Sequence, residues 1–402
     1  MTQHNYSDSP VKLLIVDDSW VLRRVLRETL SQRNDIEIVG EAANGIEALS
    51  VILQVDPDVI LLDVEMPIMD GMTTLQHLMI HTPTPTIMLS SLSKKGSARC
   101  FDALKYGAVD FISKNCFFKG MDMADQGQFV VEKIFAAAHT TVHSIDPMQQ
   151  GSGSGALTKI AVKVVFCEDC GTRHIIHNSV QTGTSVKCNN CGDDISLVAD
   201  KRFRRVNFVT VIGCGEGGYA NLLKIIPELN PEIGGALLVV ILDEVEHVES
   251  FVKYLDAICD FKVSLAQDGL TLEGGGCYIF SGIEHVELSP YSGNYTLQME
   301  VTPMSGNSGG IDNLMIAASR TLKNRVAGLL LSGAEDDGSK GMEEILKNNG
   351  TCWILNPDHC LQKAITSRAF IKYNLPGDLD ENAVVTRIRD LHSSYQENVI
   401  TA

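Results

Sequence analysis

Short apolar runs alternate with amphipathic stretches from Lys12 onward. Leu13-Leu14-Ile15-Val16, Ile36 to Val39, Val59 to Leu62, Thr86 to Leu89 and Phe111-Ile112 have strand length, while Val21, Leu22, Val25, Leu26 and Leu30 recur at helical spacing. Such alternation predicts a doubly wound α/β domain with parallel strands. It restarts at Phe208, with strands at Val209 to Ile212, Leu237 to Leu242, Val326 to Leu331 and Cys352 to Leu355, and a helix carrying Leu222, Leu223, Ile225, Ile226 and Leu229. Between the two lie a helical stretch, Phe129 to Val142, a flexible Gly/Ser linker at Gln149 to Gly155, and short strand-like runs at Ala161 to Phe166, His174 to His177 and Ile195 to Ala199. The predicted organisation is a tail at 1–10, an α/β domain with a connector helix at 11–145, a linker at 146–159, a small β-rich domain at 160–205, and a second α/β domain with a mainly parallel sheet at 206–402.

Length supports this count, since 402 residues are too many for one typical domain. Thirty-three Lys and Arg against fifty Asp and Glu give a formal charge of −17, which argues against broad nucleic-acid binding and against an anionic membrane surface. No run reaches the ~18 residues of a membrane helix. Met1 to Asp8 has neither the basic start nor the apolar core of a secretory signal, so a cytoplasmic protein is expected.

Chemistry concentrates where strands end. In a parallel sheet the carboxyl ends of the strands face one crevice, and Asp17, Asp18, Asp63, Ser90 and Lys114 all stand at such ends. Three carboxylates there repel one another unless a hard cation bridges them, and Mg²⁺ prefers oxygen ligands. A phosphoryl group on Asp63 would be neutralised by Mg²⁺ and Lys114 and hydrogen-bonded by Ser90.

With this set in view, residues 11 to 115 resemble a two-component receiver domain. The resemblance implies Asp63 as phosphoacceptor, Asp17 and Asp18 as Mg²⁺ ligands with the main-chain carbonyl of Glu65, Ser90 and Phe111 as the switch pair, and Lys114 as the phosphate-contacting lysine. Asn115 departs from the family, which usually has proline there. Asp63 to Gly71 and Met88 to Ser97 resemble the receiver of CheB, the chemotaxis protein-glutamate methylesterase. A histidine kinase of a chemotaxis-type system is the implied phosphoryl donor, with chemoreceptors or other signalling proteins as further partners.

Four of the eleven cysteines are paired by spacing. Cys167-Glu-Asp-Cys170-Gly171 and Cys188-Asn-Asn-Cys191-Gly192 are two C-x-x-C-G knuckles, each able to turn two thiolates onto one tetrahedral ion. Four thiolates fill the shell, so a structural Zn²⁺ ribbon is expected, with His174 and His177 outside it. The basic run Lys201-Arg202-Phe203-Arg204-Arg205 follows. It could contact nucleic acid, but the acidity of the whole favours a solvated or protein-docking segment.

In the second α/β domain, Gly213-Cys214-Gly215-Glu216-Gly217-Gly218 is a Gly-rich strand-to-helix turn with the wrong spacing for a dinucleotide fingerprint. Residues 208 to 374 resemble the CheB catalytic domain, which hydrolyses glutamyl methyl esters and deamidates glutamine with a Ser-His-Asp triad. The resemblance puts Gly215 at the serine position, finds no histidine in Leu242-Asp243-Glu244, and matches the aspartate to Asp337. Met304 to Asp312 replaces a second loop near the family's site. Cys214 is a neighbouring thiol, but on such a turn its side chain points into the sheet. His247 reads as a surface histidine at the turn into the next helix, and His285 as structural.

The expectation is a CheB-like response regulator with one triad member of three, whose output is binding. A methylesterase working through a rewired site, and a nucleic-acid-binding regulator acting through the ribbon, stay open as alternatives.

Overall fold

The computed structural model describes residues 9–142 apart from 32, 91–93 and 118–122; the segments 162–166, 173–177, 185–192 and 194–196; and residues 206–400 apart from 207, 230–234, 260–261, 291–296, 304–308 and 376–377. The chain divides into two compact units, Met1–Gly153 and Ser154–Ala402.

In the first unit five parallel strands lie in the order β2-β1-β3-β4-β5: β1 Val11–Val16, β2 Ile36–Ala42, β3 Val59–Asp63, β4 Thr86–Ser90 and β5 Asp110–Ser113. Strands β3 and β4 are buried along their whole length, as expected when helices cover both faces of a parallel sheet. Helices α1 Trp20–Leu30, α2 Gly45–Val55, α3 Gly71–His81, α4 Lys94–Lys105 and α5 Met123–Ala138 connect and follow them. Polar caps set where several begin: Ser19 Oγ accepts Leu22 N–H, Asn44 Oδ1 accepts Glu47 N–H, and Asp70 Oδ1 accepts Thr73 N–H. Helix α5 starts and stops earlier than apolar spacing indicates. Its end is closed where Thr140 Oγ1 donates to the Ala136 carbonyl at 2.9 Å and Thr140 N–H to Ala137 at 2.9 Å.

The second unit holds six parallel strands in the order β12-β14-β11-β10-β17-β18: β10 Val209–Cys214, β11 Ala236–Ile241, β12 Val263–Leu265, β14 Cys277–Ser281, β17 Val326–Leu330 and β18 Thr351–Ile354. An antiparallel ribbon of β13 Thr271–Leu272, β15 Glu284–Pro290 and β16 Leu297–Pro303 accompanies it. The helices are α6 Gly218–Ile225, α7 Val245–Ile258, α8 Gly310–Leu322, α9 Ser339–Lys347, α10 Ala364–Tyr373 and α11 Glu381–Ile400. The apolar core joins Val209, Val211, Leu238, Val240 and Phe280 from the sheet to Ile311, Leu314 and Met315 of α8. Two antiparallel hairpins, β6 Val162–Phe166 with β7 Arg173–His177 and β8 Ser185–Lys187 with β9 Asp194–Ser196, lie in the cysteine-knuckle region. No helix among the described residues is long and apolar enough to cross a membrane.

Helix α11 is tied to the sheet by a buried histidine. His392 Nδ1 accepts Gly235 N–H at 3.2 Å, which leaves Nε2 to carry the proton toward Thr210 Oγ1 at 2.9 Å, while the ring meets Phe208 edge to face. A Cβ on Gly235 would stand 2.9 Å from that Nδ1 and 2.4 Å from the Phe208 carbonyl, so glycine is required there. Burial lowers the His392 pKa from 6.5 to about 3. A depressed folded-state pKa contributes stability that is full above about 6.5 and lost as pH falls toward 3. Thermal unfolding at pH 7 and pH 4 should therefore show a larger loss of stability for the wild type than for His392→Gln. Equal losses would contradict the account.

Candidate functional site

At the carboxyl edge of the first sheet, β1 runs into Asp17 and Asp18, and β3 ends at Asp63. The strand order reverses between β1 and β3, which opens a crevice between their ends. Asp17 and Asp63 are buried and Asp18 is exposed, with carboxylate oxygens of all three within 4.8 Å of one another. Lys114, just past β5, places Nζ 2.7 Å from Asp17 Oδ2 and 2.7 Å from Asp63 Oδ2. Asp17 Oδ1 accepts Ser19 N–H at 2.9 Å, and Asp63 Oδ1 accepts Glu65 N–H at 3.2 Å. Gly71 lets α3 start against this edge, since a Cβ there would stand 1.9 Å from the Asp63 carbonyl oxygen.

Burial pushes the Asp63 carboxyl up to about 6; the Lys114 hydrogen bond opposes it and the Asp17 charge adds to it. Burial works to lower Lys114, but its hydrogen bonds to the two aspartates outweigh that and leave it raised. One ammonium thus faces two buried carboxylates, and the oxygens that meet it take no other hydrogen bond among the described residues. An all-oxygen, net-negative donor set of this kind fits Mg²⁺.

The sequence-expected switch residues lie around this cluster. Ser90, at the end of β4, is buried and its hydroxyl is hydrogen-bonded to the Cys100 thiol of α4. Phe111 of β5 is half-buried and meets Phe101 edge to face, with centroids 5.8 Å apart. The Glu65 carboxylate points elsewhere, 3.9 Å from Arg99. No cis peptide occurs among the described residues, so the bond from Lys114 to Asn115 is trans.

In the second sheet the order reverses at β10, between β11 and β17, and the Gly-rich turn follows β10 there. Cys214 is fully buried with Sγ 3.6 Å from the Val240 carbonyl, and burial raises its pKa far above the usual thiol range, with the charges of Glu335 and Asp243 adding. A protonated thiol under the sheet is a poor nucleophile. Gly215 N–H donates to the Ser332 carbonyl at 2.8 Å, which ties the turn to the loop after β17. A Cβ on Gly215 would stand 2.3 Å from Glu335 Oε2.

Asp337 is buried, and both its oxygens are taken by main-chain amides. Oδ2 accepts Ile311 N–H at 2.9 Å; Oδ1 accepts Asp312 N–H at 2.9 Å and Gly338 N–H at 2.7 Å. Asp312 in turn accepts Gly341 N–H at 2.7 Å, so the two aspartates cap α8 and α9 reciprocally. His247 is not the surface side chain its position indicates. It lies in the first turn of α7, half-buried, with Nδ1 3.0 Å from Asp243 Oδ1, while Tyr219 donates to Asp243 Oδ2 at 2.8 Å. The Asp243 hydrogen bond holds His247 raised. His285 is half-exposed on β15, 3.4 Å from Glu287. Sequence reasoning did not single out Glu335, although it lies inside the loop from Leu331 to Met342.

Of the cysteine knuckles, Cys188 is buried and Cys191 exposed. Cys188 Sγ accepts Asn190 N–H at 3.4 Å, its carbonyl accepts Gly192 N–H at 3.0 Å, and Gly192 has φ +81°. Cys167, Cys170, the Gly/Ser linker and Lys201 to Arg205 lie outside the described residues.

Comparison with known proteins places both units. The CheB methylesterase family matches residues 210–375, and the response regulator receiver domain matches residues 13–122. The protein-glutamate methylesterase/protein-glutamine glutaminase of Ralstonia nicotianae is 30% identical over 388 residues, covering 95% of this chain and 93% of that protein. A protein of the same name from Thiobacillus denitrificans is 30% identical over 341 residues, covering 85% of each. One from Pyrococcus horikoshii is 29% identical over 341 residues, covering 85% of this chain and 82% of its own.

Proposed function

The chain belongs to the protein-glutamate methylesterase/protein-glutamine glutaminase (CheB) family, and we propose that within it this protein is a phosphorylation-controlled regulator whose output domain binds partners without hydrolysing them. The observation that carries this reading is the contrast between the two sheet edges. Asp17, Asp18, Asp63 and Lys114 converge in the first unit, while in the second the nucleophile position is Gly215 and Asp337 is committed to helix caps.

In the receiver, Asp63 is the phosphoacceptor. Lys114 meets the incoming phosphoryl oxygens, and Ser90 lies at the adjacent strand end to hydrogen-bond the phosphorylated form. Asp17, Asp18 and Asp63, with the carbonyl of Glu65, would hold Mg²⁺, which supplies charge neutralisation. When Lys114 turns toward a phosphoryl group it leaves Asp17, so modification redistributes charge at the β4 and β5 ends, next to Ser90 and on the strand that carries Phe111. The donor is a histidine kinase of a chemotaxis-type system, and chemoreceptors are candidate partners of the output domain.

In the C-terminal domain, loss of a serine triad's nucleophile typically costs ~10⁶ in kcat. The relatives are named as methylesterases, and retained hydrolysis in this chain would need another group. Cys214 is the adjacent candidate, and its burial beneath the sheet weighs against it. Domain boundaries are taken as 11–145 for the receiver with its connector, 146–159 for the linker, 160–205 for a ribbon and 206–402 for the CheB-like domain. The ribbon is assigned one structural Zn²⁺ on Cys167, Cys170, Cys188 and Cys191. The amide at the Cys188 sulfur and the left-handed Gly192 support it, since metal-binding knuckles take that shape.

Acetyl phosphate with Mg²⁺ should label the wild type on one site and leave Asp63→Asn unlabelled; equal labelling of both would refute the receiver assignment. Metal analysis of the purified full chain should give about one zinc per chain, falling to near zero in Cys188→Ser/Cys191→Ser. Unchanged zinc in that variant would refute the ribbon.

A further inference from the structure

The loop after β17 carries a carboxylate with no part in the receiver chemistry or in the helix caps. Around Gly215, the space a side chain would need is filled by Glu335, whose Oε2, Cδ and Oε1 lie 2.3, 3.0 and 3.2 Å from an ideal Cβ. The main-chain amides of Glu335 and Ala334 lie close enough to the Glu335 carboxylate to favour its charged form. Main-chain amides beside a nucleophile position are the groups that receive a developing oxyanion in acyl transfer. In this protein the chain's own carboxylate stands beside them.

The surrounding contacts keep the loop in register with the turn. Arg368 of α10 donates to the Glu335 carbonyl at 3.2 Å and pairs with Asp336 at 3.2 Å. Ser332 Oγ donates to the Glu216 carbonyl at 2.7 Å, and Gln362 Nε2 donates to Glu216 Oε2 at 3.1 Å. Burial raises the Glu335 carboxyl; the nearby amides oppose that, and the nearby charge of Glu216 adds to it. Glu335 as a whole residue is exposed, while its carboxylate end is turned in against Gly215.

We propose that Glu335 is an internal occupant of the cleft: a glutamate side chain placed in cis at the nucleophile position, keeping out a glutamyl side chain from another protein. The inference rests on the reading that the domain does not hydrolyse. Its chemistry is that of a self-bound product, since a protein-glutamate methylesterase leaves a glutamate carboxylate. Glycine at 215 and glutamate at 335 then form one coupled feature, because a side chain at 215 and the carboxylate of 335 compete for the same volume.

The test is a double-mutant cycle on the full chain, read as the unfolding midpoint of the C-terminal domain. Gly215→Ala should lower the midpoint by ~2 °C in the wild-type background, by displacing the carboxylate from this space, and leave it unchanged in the Glu335→Ala background. Equal drops in the two backgrounds, or no drop in either, would overturn the shared-volume contact. In parallel, a peptide bearing a γ-glutamyl methyl ester is titrated calorimetrically. Heat of binding with Glu335→Ala and none with the wild type supports the closed cleft, and identical titrations overturn it. Methanol release by the wild type would count against the non-hydrolytic reading, whereas the midpoint cycle bears on the Glu335 contact alone, so the two failures are distinguishable.

Discussion

One ammonium between two buried carboxylates organises the first unit. Lys114 stands 2.7 Å from both Asp17 and Asp63, where β1, β3 and β5 end together. Parallel strands impose that convergence, since every carboxyl end reaches the same edge and the reversal between β1 and β3 opens it. Acidic groups gathered there repel, and burial adds to the cost of their charge. Lys114 relieves part of this, and a hard cation would relieve more. The site is therefore electrostatically unfinished, and a cation and a phosphoryl group would complete it.

The second unit is also built on a parallel sheet, but its edge holds its charges differently. Its edge is built at the reversal between β10 and β17, and several of the groups found there satisfy one another. Asp337 and Asp312 cap α8 and α9 across the gap. Asp243 takes Tyr219 and His247, and Glu335 fills the space beside Gly215. Around the turn Asp337, Asp312 and Asp243 hold partners within the chain, while Glu216 and Glu335 bring two carboxylates close together. The two edges thus differ: the first gathers three carboxylates around one ammonium, and the second ties its aspartates to amides and side chains of the chain itself.

Much of this was legible in the sequence because strand-length apolar runs and terminal polar residues are local signals. The five receiver strands, the four main strands of the second sheet, and the order Asp17, Asp18, Asp63, Ser90, Lys114 all follow from such signals. The burial of Cys214 also follows, from the geometry of a strand-to-helix turn. What escaped depends on contacts between residues far apart in the chain. His392 clamps Thr210 from 182 positions away, and an isolated histidine in a polar helix gives no hint of it. His247 looked exposed because its partner Asp243 is one helical turn back, at the strand end. Glu335 was hidden inside an acidic loop, since only the fold shows that its carboxylate shares a volume with a missing side chain 120 residues earlier. The end of α5 was missed because threonine at position 140 closes it through hydrogen bonds and interrupts no apolar period.

The central claim is that a phosphorylatable receiver is joined here to an output domain of the methylesterase family that does not hydrolyse. The most direct measurement is methanol release from methyl-esterified chemoreceptor, using the full chain treated with acetyl phosphate and Mg²⁺, with Asp63→Asn as the unphosphorylated control. Release at background for both proteins is the predicted result. Sustained release by the wild type that is lost in Asp63→Asn would contradict the account and identify a working, phosphorylation-gated esterase.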